Sequence, residues 1–399
     1  MPNASFTSLA VVLAVAFVSR LTLGPFPRVR VPGVVAEIVL GIVVGPNVLG
    51  WARADEPVKL VATIGVAFLL FLAGLELDVD HLHGPLLRVA GRGFALSVVL
   101  ALIAGFSLSA AGLVKNPLLV AVALTATSLG LVIPVLKEAD AITTPVGQLV
   151  VAGASLGDFG AIIALSLLFS RDTSSSSARF VLFGVFLATV AVIAWSIARA
   201  GRSMRISQVL VRLQDTTAQI RVRAAMLLLI GLVVLAEHTG LETILAAFVA
   251  GAIVSFIDRD AMKTHPQFNV KLEAIGFGFL IPVFFVTSGI RFDLKALLDH
   301  PSVLARVPIF LAMLVVVRGV PALFYRDSVS NRERVAAALL QATSLPFIVT
   351  ATMIGVEIGA VTSSNAAALV AAGLVSALIF PALAVSFLTT APVTADTMI

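Results

Sequence analysis

Thirteen long apolar segments constrain this chain more than any other feature. They fall at 5–23, 31–50, 58–77, 92–113, 117–136, 145–170, 178–200, 222–240, 243–257, 272–290, 302–325, 335–355 and 362–388. A helix needs about 20 apolar residues to cross a bilayer. Only 12% of the 399 residues are charged, about half the share in ordinary soluble domains, too little to coat a soluble globule of this size. Backbone groups in lipid must be satisfied within their own segment, so the segments read as helices. The alternating ten-residue pattern of a membrane barrel is missing. The expected fold is all-α and polytopic, with about 13 transmembrane helices and no room for a sizeable soluble domain.

Other classes of function fall away. The chain has no cysteine, so disulfides, thiolate metal sites and cysteine nucleophiles are excluded. There is no HExxH and no Gly-rich phosphate loop, and no cofactor is expected. His81 and His83, just after Asp78 and Asp80, lie in a short connection and read as a solvated loop. The net charge of +5 is assigned to membrane orientation, not to nucleic-acid binding. Seventeen Lys and Arg fall in the odd-numbered connections and eight in the even-numbered ones. That bias puts the odd side in the cytoplasm, with the N-terminus outside and the C-terminus inside. The longest connection, 201–221, is basic with a weak apolar stripe. It reads equally as an interfacial helix on anionic lipid or as a solvated linker.

The chain also repeats itself. Ala126-Thr-Ser-Leu-Gly130 recurs as Ala342-Thr-Ser-Leu-Pro346, 216 positions later. A Gly followed four residues on by an Asp, in Phe71–Asp78, recurs within Phe285–Asp293 at an offset of 215. The offset spans an odd number of helices, so the two copies have opposite orientation, an arrangement found in many secondary transporters. Thr, Ser, Gly and Pro interrupt apolar helices poorly suited to them. Breaks at matching positions of two halves point to two discontinuous helices crossing at mid-membrane.

Charges deep in spans are costly, at least ~2.5 kcal/mol on insertion scales, and so are functional candidates. Asp158, in Ala154-Ser-Leu-Gly-Asp-Phe-Gly160, is the first, as a proton or cation site. Ser155 lies one turn earlier on the same face. Gly153 and Gly157 read as packing glycines that admit another backbone beside Asp158. Arg318 stays charged and must face protein or water, with a structural or electrostatic role. Glu37 and Gln341 are candidate pathway residues, with a structural partner favoured for Glu37. Glu76, Asp78, Arg291 and Asp293 suit capping or solvated positions at span ends, and Glu237 and Glu242 suit the surface.

With these residues in place, the chain resembles the monovalent cation/proton antiporters of the second branch, the group of Kef-type and sodium/proton exchangers. The likeness rests on Glu37-Ile-Val-Leu-Gly-Ile-Val-Val-Gly-Pro46, Phe71–Asp78, Ala123–Ser128 with Pro134–Glu138, and Pro282-Val-Phe-Phe285 with Gly289. The resemblance implies an inverted-repeat fold, a homodimer in a bacterial inner membrane, and a core that moves against a scaffold. On that division, 1–80 and 222–291 are scaffold, 91–170 and 302–390 are core, and 178–221 holds a linker helix and the basic connection. It implies Thr125, Thr127 and Ser128 at the first break and Thr343 and Ser344 at the second. Asp158 matches the family's ion-binding Asp, where Na⁺ or K⁺ would alternate with H⁺, and Arg318 falls opposite that site. Electrogenic members place two acids in succession. Here the first position is Gly157, so electroneutral exchange is expected. The nucleotide-binding extension of Kef systems has no counterpart in these residues, and gating of that kind is not expected. The competing expectation is a cation-coupled symporter of a small solute on a related fold.

Overall fold

The computed structural model describes residues 6–23, 32–76, 84–169, 176–201, 219–239, 241–257, 267–299 and 301–388. Asp78, Asp80, His81, His83 and most of the basic connection 201–221 lie outside them. Among the described residues the secondary structure is helical throughout. Eight stretches are long and apolar enough to cross a membrane: 56–75, 86–110, 117–137, 145–168, 267–290, 301–325, 331–357 and 363–388. Shorter apolar helices accompany them at 7–21, 33–44, 181–196 and 243–256.

In chain order the helices are α1 (Thr7–Leu23), α2 (Gly33–Val44), α3 (Glu56–Leu75), α4 (Gly84–Ala110), α5 (Pro117–Thr125), α6 (Leu129–Glu138), α7 (Pro145–Leu168) and α8 (Ser176–Gly201). Then come α9 (Ile220–Thr239), α10 (Thr243–Ile257), α11 (Gln267–Ile275), α12 (Ile281–Ile290), α13 (Leu294–Leu298), α14 (Pro301–Leu304), α15 (Arg306–Leu314), α16 (Asn331–Ala342), α17 (Pro346–Glu357) and α18 (Ser363–Leu388). Adding 216 to the bounds of α4, α5–α6 and α7 lands within a few residues of the helical stretches 301–325, 331–357 and 363–388. The same shift carries α1, α2 and α3 towards α9, α10 and α11–α12. The offset seen in two short motifs thus holds across the described helices, and α8 lies between the two copies.

The chain divides into two compact units. The first comprises 1–26, 36–78 and 162–292. Its helices meet through glycines. A Cβ at Gly41 of α2 would lie 2.2 Å from the Val286 carbonyl oxygen of α12. One at Gly74 of α3 would lie 2.0 Å from the Phe248 carbonyl oxygen of α10, and one at Gly251 of α10 would lie 1.9 Å from that of Phe71. Small residues permit this backbone approach in lipid, where apolar burial alone gives little drive for helix association. Between α11 and α12, Gly276–Leu280 forms a π-helical turn.

The second unit comprises 27–35, 79–161 and 293–399 and holds both broken helices. Local chemistry starts each of them. Asn116 caps α5, its side chain accepting from the Leu119 N–H, with Pro117 in the first turn. Ser330 and Glu333 cap α16 reciprocally. The first helix then breaks at Ala126–Ser128, where Ala126 and Ser128 are extended. The second breaks at Thr343–Leu345, and Pro346 starts the next half. The breaks are strapped together. Ser128 N–H donates to the Thr343 carbonyl at 2.9 Å, and the Thr127 hydroxyl donates to the Gln341 carbonyl at 2.8 Å. The sequence expectation of two crossed, discontinuous helices in an inverted-repeat fold is met.

The remaining span-end acids divide. Asp293 caps α13 through the Ala296 N–H, and Glu76 is exposed at the end of α3. Glu237 is exposed, but Glu242 is only 4% exposed, contrary to the surface position expected for it. It directly precedes α10, whose first turn attracts a carboxylate and whose next residues, Ile244 to Phe248, are all buried.

Candidate functional site

Asp158 sits on α7, buried at 9% exposure, and its Oδ1 accepts the Thr127 N–H at 2.9 Å. That amide is released because α5 stops at Thr125, and it lies just ahead of α6; unpaired amides at the N-terminal end of a helix hold negative charge well. The break therefore supplies the carboxylate's partner directly.

Arg318 belongs to a π-helical turn, Val315–Gly319, and is 1% exposed. A π turn inserts one residue into the helix and redirects the side chains after it. The guanidinium is held on three sides. Nε donates to the Thr127 hydroxyl at 2.8 Å, Nη1 to the Ser97 hydroxyl at 3.3 Å and Nη2 to the Gly153 carbonyl at 2.9 Å. Thr127 is thus the common element: its N–H meets the carboxylate, its hydroxyl accepts from the guanidinium and donates to the second broken helix.

The two glycines of α7 make room for side chains as much as for backbone. A Cβ at Gly157 would lie 2.7 Å from Arg318 Nη2 and 3.0 Å from the Thr125 carbonyl oxygen. One at Gly153 would lie 2.8 Å from Gln341 Nε2 and 2.9 Å from the Tyr325 hydroxyl. The Thr125 backbone comes close to Gly157 as expected, and the guanidinium, the carboxamide and the phenol take the rest of the space. Gln341 itself is buried and donates through Nε2 to the Tyr325 hydroxyl.

The other expected site residues divide into two groups. Ser155, Thr125 and Thr343 turn their hydroxyls back to carbonyls of Val151, Val122 and Leu339 on their own helices. Ser128 and Ser344, equivalent in the repeat, are buried with hydroxyl oxygens that have no partner among the described residues. Glu37 is not in this cluster. It lies in the first unit, 1% exposed, and accepts from Arg20 Nε at 3.3 Å. Ser97, Tyr325 and Ser376 escaped the sequence reading. Ser376 accepts the Ser344 N–H at 3.2 Å, so α18 satisfies the second break. A single hydroxyl in an apolar span carries no signal of its own; Tyr325 is the chain's one tyrosine, and only that rarity marked it.

Chemically, the cluster offers one carboxylate among neutral hydroxyl and carbonyl oxygens, with a fixed cation nearby. Among the described residues, no group of three or more His, Asp or Glu forms that could hold a metal. A single carboxylate suits a proton or a weakly held monovalent cation better than a divalent one, which gathers several charged oxygens.

A family model described as sodium/hydrogen exchanger, transmembrane, matches residues 13–390. YjbQ of Bacillus subtilis (strain 168), a candidate Na(+)/H(+) antiporter by its name, is 29% identical over 396 residues, covering 96% of this chain. The chain spans 63% of that relative's length. The Na(+)/H(+)-K(+) antiporter GerN of Bacillus cereus is 28% identical, with 67% of each chain covered. In fold, the sodium proton antiporter MjNhaP1 of Methanocaldococcus jannaschii superimposes with a TM-score of 0.68 at 18% identity, over 95% of this chain and 96% of that one.

Proposed function

Because this chain belongs to the sodium/hydrogen exchanger family, we propose that it is a secondary antiporter exchanging H⁺ for a monovalent cation, Na⁺ or K⁺, with Asp158 as the site both compete for. The observation that carries this is the buried Asp158 carboxylate on the free Thr127 amide at the crossing of two broken helices. Protonated, the carboxyl releases the cation; ionised, it takes one up. Competition for one group couples the two ions without a second site. The orphaned hydroxyls of Ser128 and Ser344 are suited to replace part of a cation's hydration shell, with Ser155, Thr125 and Thr343 supporting the surrounding backbone.

Exchange is electroneutral in this reading. Gly157 leaves one acid at the site, and Arg318 occupies the space beside it. The guanidinium is a constant counter-charge that does not titrate. One proton then exchanges for one cation. In this reading the whole chain crosses the membrane thirteen times, the first unit serves as scaffold, and the protein is a homodimer in a bacterial inner membrane.

The test is proton flux in proteoliposomes under imposed Na⁺ or K⁺ gradients. Asp158→Asn is expected to abolish cation-driven proton movement while the protein still elutes as a folded species. Exchange at the unmutated rate in that variant removes Asp158 from the mechanism. A transport current on a solid-supported membrane that scales with turnover removes electroneutrality and leaves antiport standing.

A further inference from the structure

Away from the Asp158 cluster, the first unit carries a cavity of about 690 Å³, lined by Arg20, Glu37, Gly278 and an apolar wall that includes Leu13, Phe17 and Phe279. We propose that this groove binds a phospholipid with an anionic headgroup, its phosphate on Arg20 and an acyl chain along the apolar wall.

The polar end is built for an anion. Glu37 is buried and takes only the inner edge of Arg20, at Nε. The Arg20 side chain is 56% exposed, and its two terminal nitrogens have no partner among the described residues. A guanidinium fork of that kind matches the paired oxygens of a phosphate. Glu37 fixes the fork and makes one charge of the pair inaccessible, so the surface presented outward is cationic. Arg20 also lies in the last turn of α1, at the depth where a crossing helix meets headgroups.

The apolar end fits a chain. From Arg20 back to Leu13 the groove follows α1 for roughly 10 Å, at about 1.5 Å per residue. Opposite runs the π-helical turn Gly276–Leu280, which sets Phe277 and Phe279 outward, both exposed. Between them is Gly278, where a Cβ would meet nothing within 4 Å. A side chain there would project into open groove, so the glycine keeps the groove clear. An amphiphile with a negative head and an apolar tail complements both ends; a soluble anion would leave the apolar wall bare.

The experiment uses the full chain purified in detergent, with phosphatidylglycerol or phosphatidylcholine added. Retained lipid is read by native mass spectrometry, and lipid-dependent stabilisation by thermal unfolding. Phosphatidylglycerol is expected to be retained and to raise the unfolding temperature more than phosphatidylcholine. Gly278→Phe, which fills the groove, and the double variant Arg20→Gln/Glu37→Gln, which removes the fork without stranding a buried acid, are each expected to weaken that binding about tenfold, the loss of roughly one charge-assisted contact. If the double variant does not fold, Gly278→Phe carries the test alone. Equal retention of both lipids overturns the proposal, as does an undiminished phosphatidylglycerol preference in Gly278→Phe. A loss of cross-linked dimer in Gly278→Phe with unchanged lipid retention also overturns it, and assigns the groove to a second copy. None of these readouts depends on ion exchange.

Discussion

At the scale of single residues, the site is organised by Thr127 rather than by the charges it joins. Its amide depends only on the helix break, but its hydroxyl is a side-chain choice. Thr127→Val keeps the shape and the amide contact to Asp158 while removing the acceptor for Arg318 Nε and the donor to the Gln341 carbonyl. A hydrogen bond to a charged group contributes about 1.5–3 kcal/mol, so exchange in proteoliposomes should fall about tenfold or more, and Thr127→Ser should restore most of it. Arg318→Gln tests the charge. The Asp158 carboxylate and the Arg318 guanidinium are both held on Thr127, one by its amide and the other by its hydroxyl, so each feels the other's charge. Without the cation, the protonated carboxyl is favoured and the cation competes less well at a given pH. The activity curve should therefore move to higher pH, and a curve unmoved along the pH axis means the guanidinium is screened from the site. Asp158 and Arg318 were readable in the sequence because a charge in an apolar span stands out. Their joint was only half readable: Thr127 was visible as part of a break, but its role depends on a guanidinium 191 positions away in the chain.

At the scale of elements, the sequence announced the broken helices and concealed the π turns. Ala126–Gly130 and Ala342–Pro346 carry helix-poor residues at matching places, so the break is written locally. A π turn is one inserted residue in an otherwise helical pattern. Apart from the charge of Arg318, Val315-Val-Val-Arg-Gly319 and Gly276-Phe-Gly-Phe-Leu280 show no mark of an extra residue until their neighbours are known. Glycine likewise has two meanings that only packing separates. Gly41 lies against the Val286 carbonyl of α12, and even one methyl must displace backbone. Gly231 of α9 has nothing within 4 Å of a Cβ. Gly41→Ala should then cost about 1–3 kcal/mol by overpacking, while Gly231→Ala should be neutral or stabilise by up to about 1 kcal/mol. Thermal unfolding in detergent orders the two, and equal shifts would mean that α2 and α12 are free to separate.

At the scale of the whole molecule, the repeat makes orientation testable with two residues. Ala111 follows α4, and Asp327, 216 positions on, follows the equivalent helix of the second copy. An inverted repeat puts such counterparts on opposite faces. On the orientation expected from the basic residues that crowd the odd connections, Asp327 would lie inside and Ala111 outside. The two tryptophans suit membrane faces without distinguishing them: Trp51 and Trp195 are both exposed, one in an even connection and the other near an odd one, with Arg199 over the Trp195 ring at 5.3 Å. Such rings anchor at headgroup level on both faces. The chain has no cysteine, so single cysteines report without background. Both positions are exposed, and Asp327 joins only a surface pair with Arg326, which contributes little to stability. In intact cells, Ala111→Cys should react with a membrane-impermeant maleimide, and Asp327→Cys should react only after permeabilisation. The reverse pattern keeps the inverted repeat and turns the protein over. Labelling of both from one face would mean that the two copies run parallel, and the crossing of the broken helices would need another explanation.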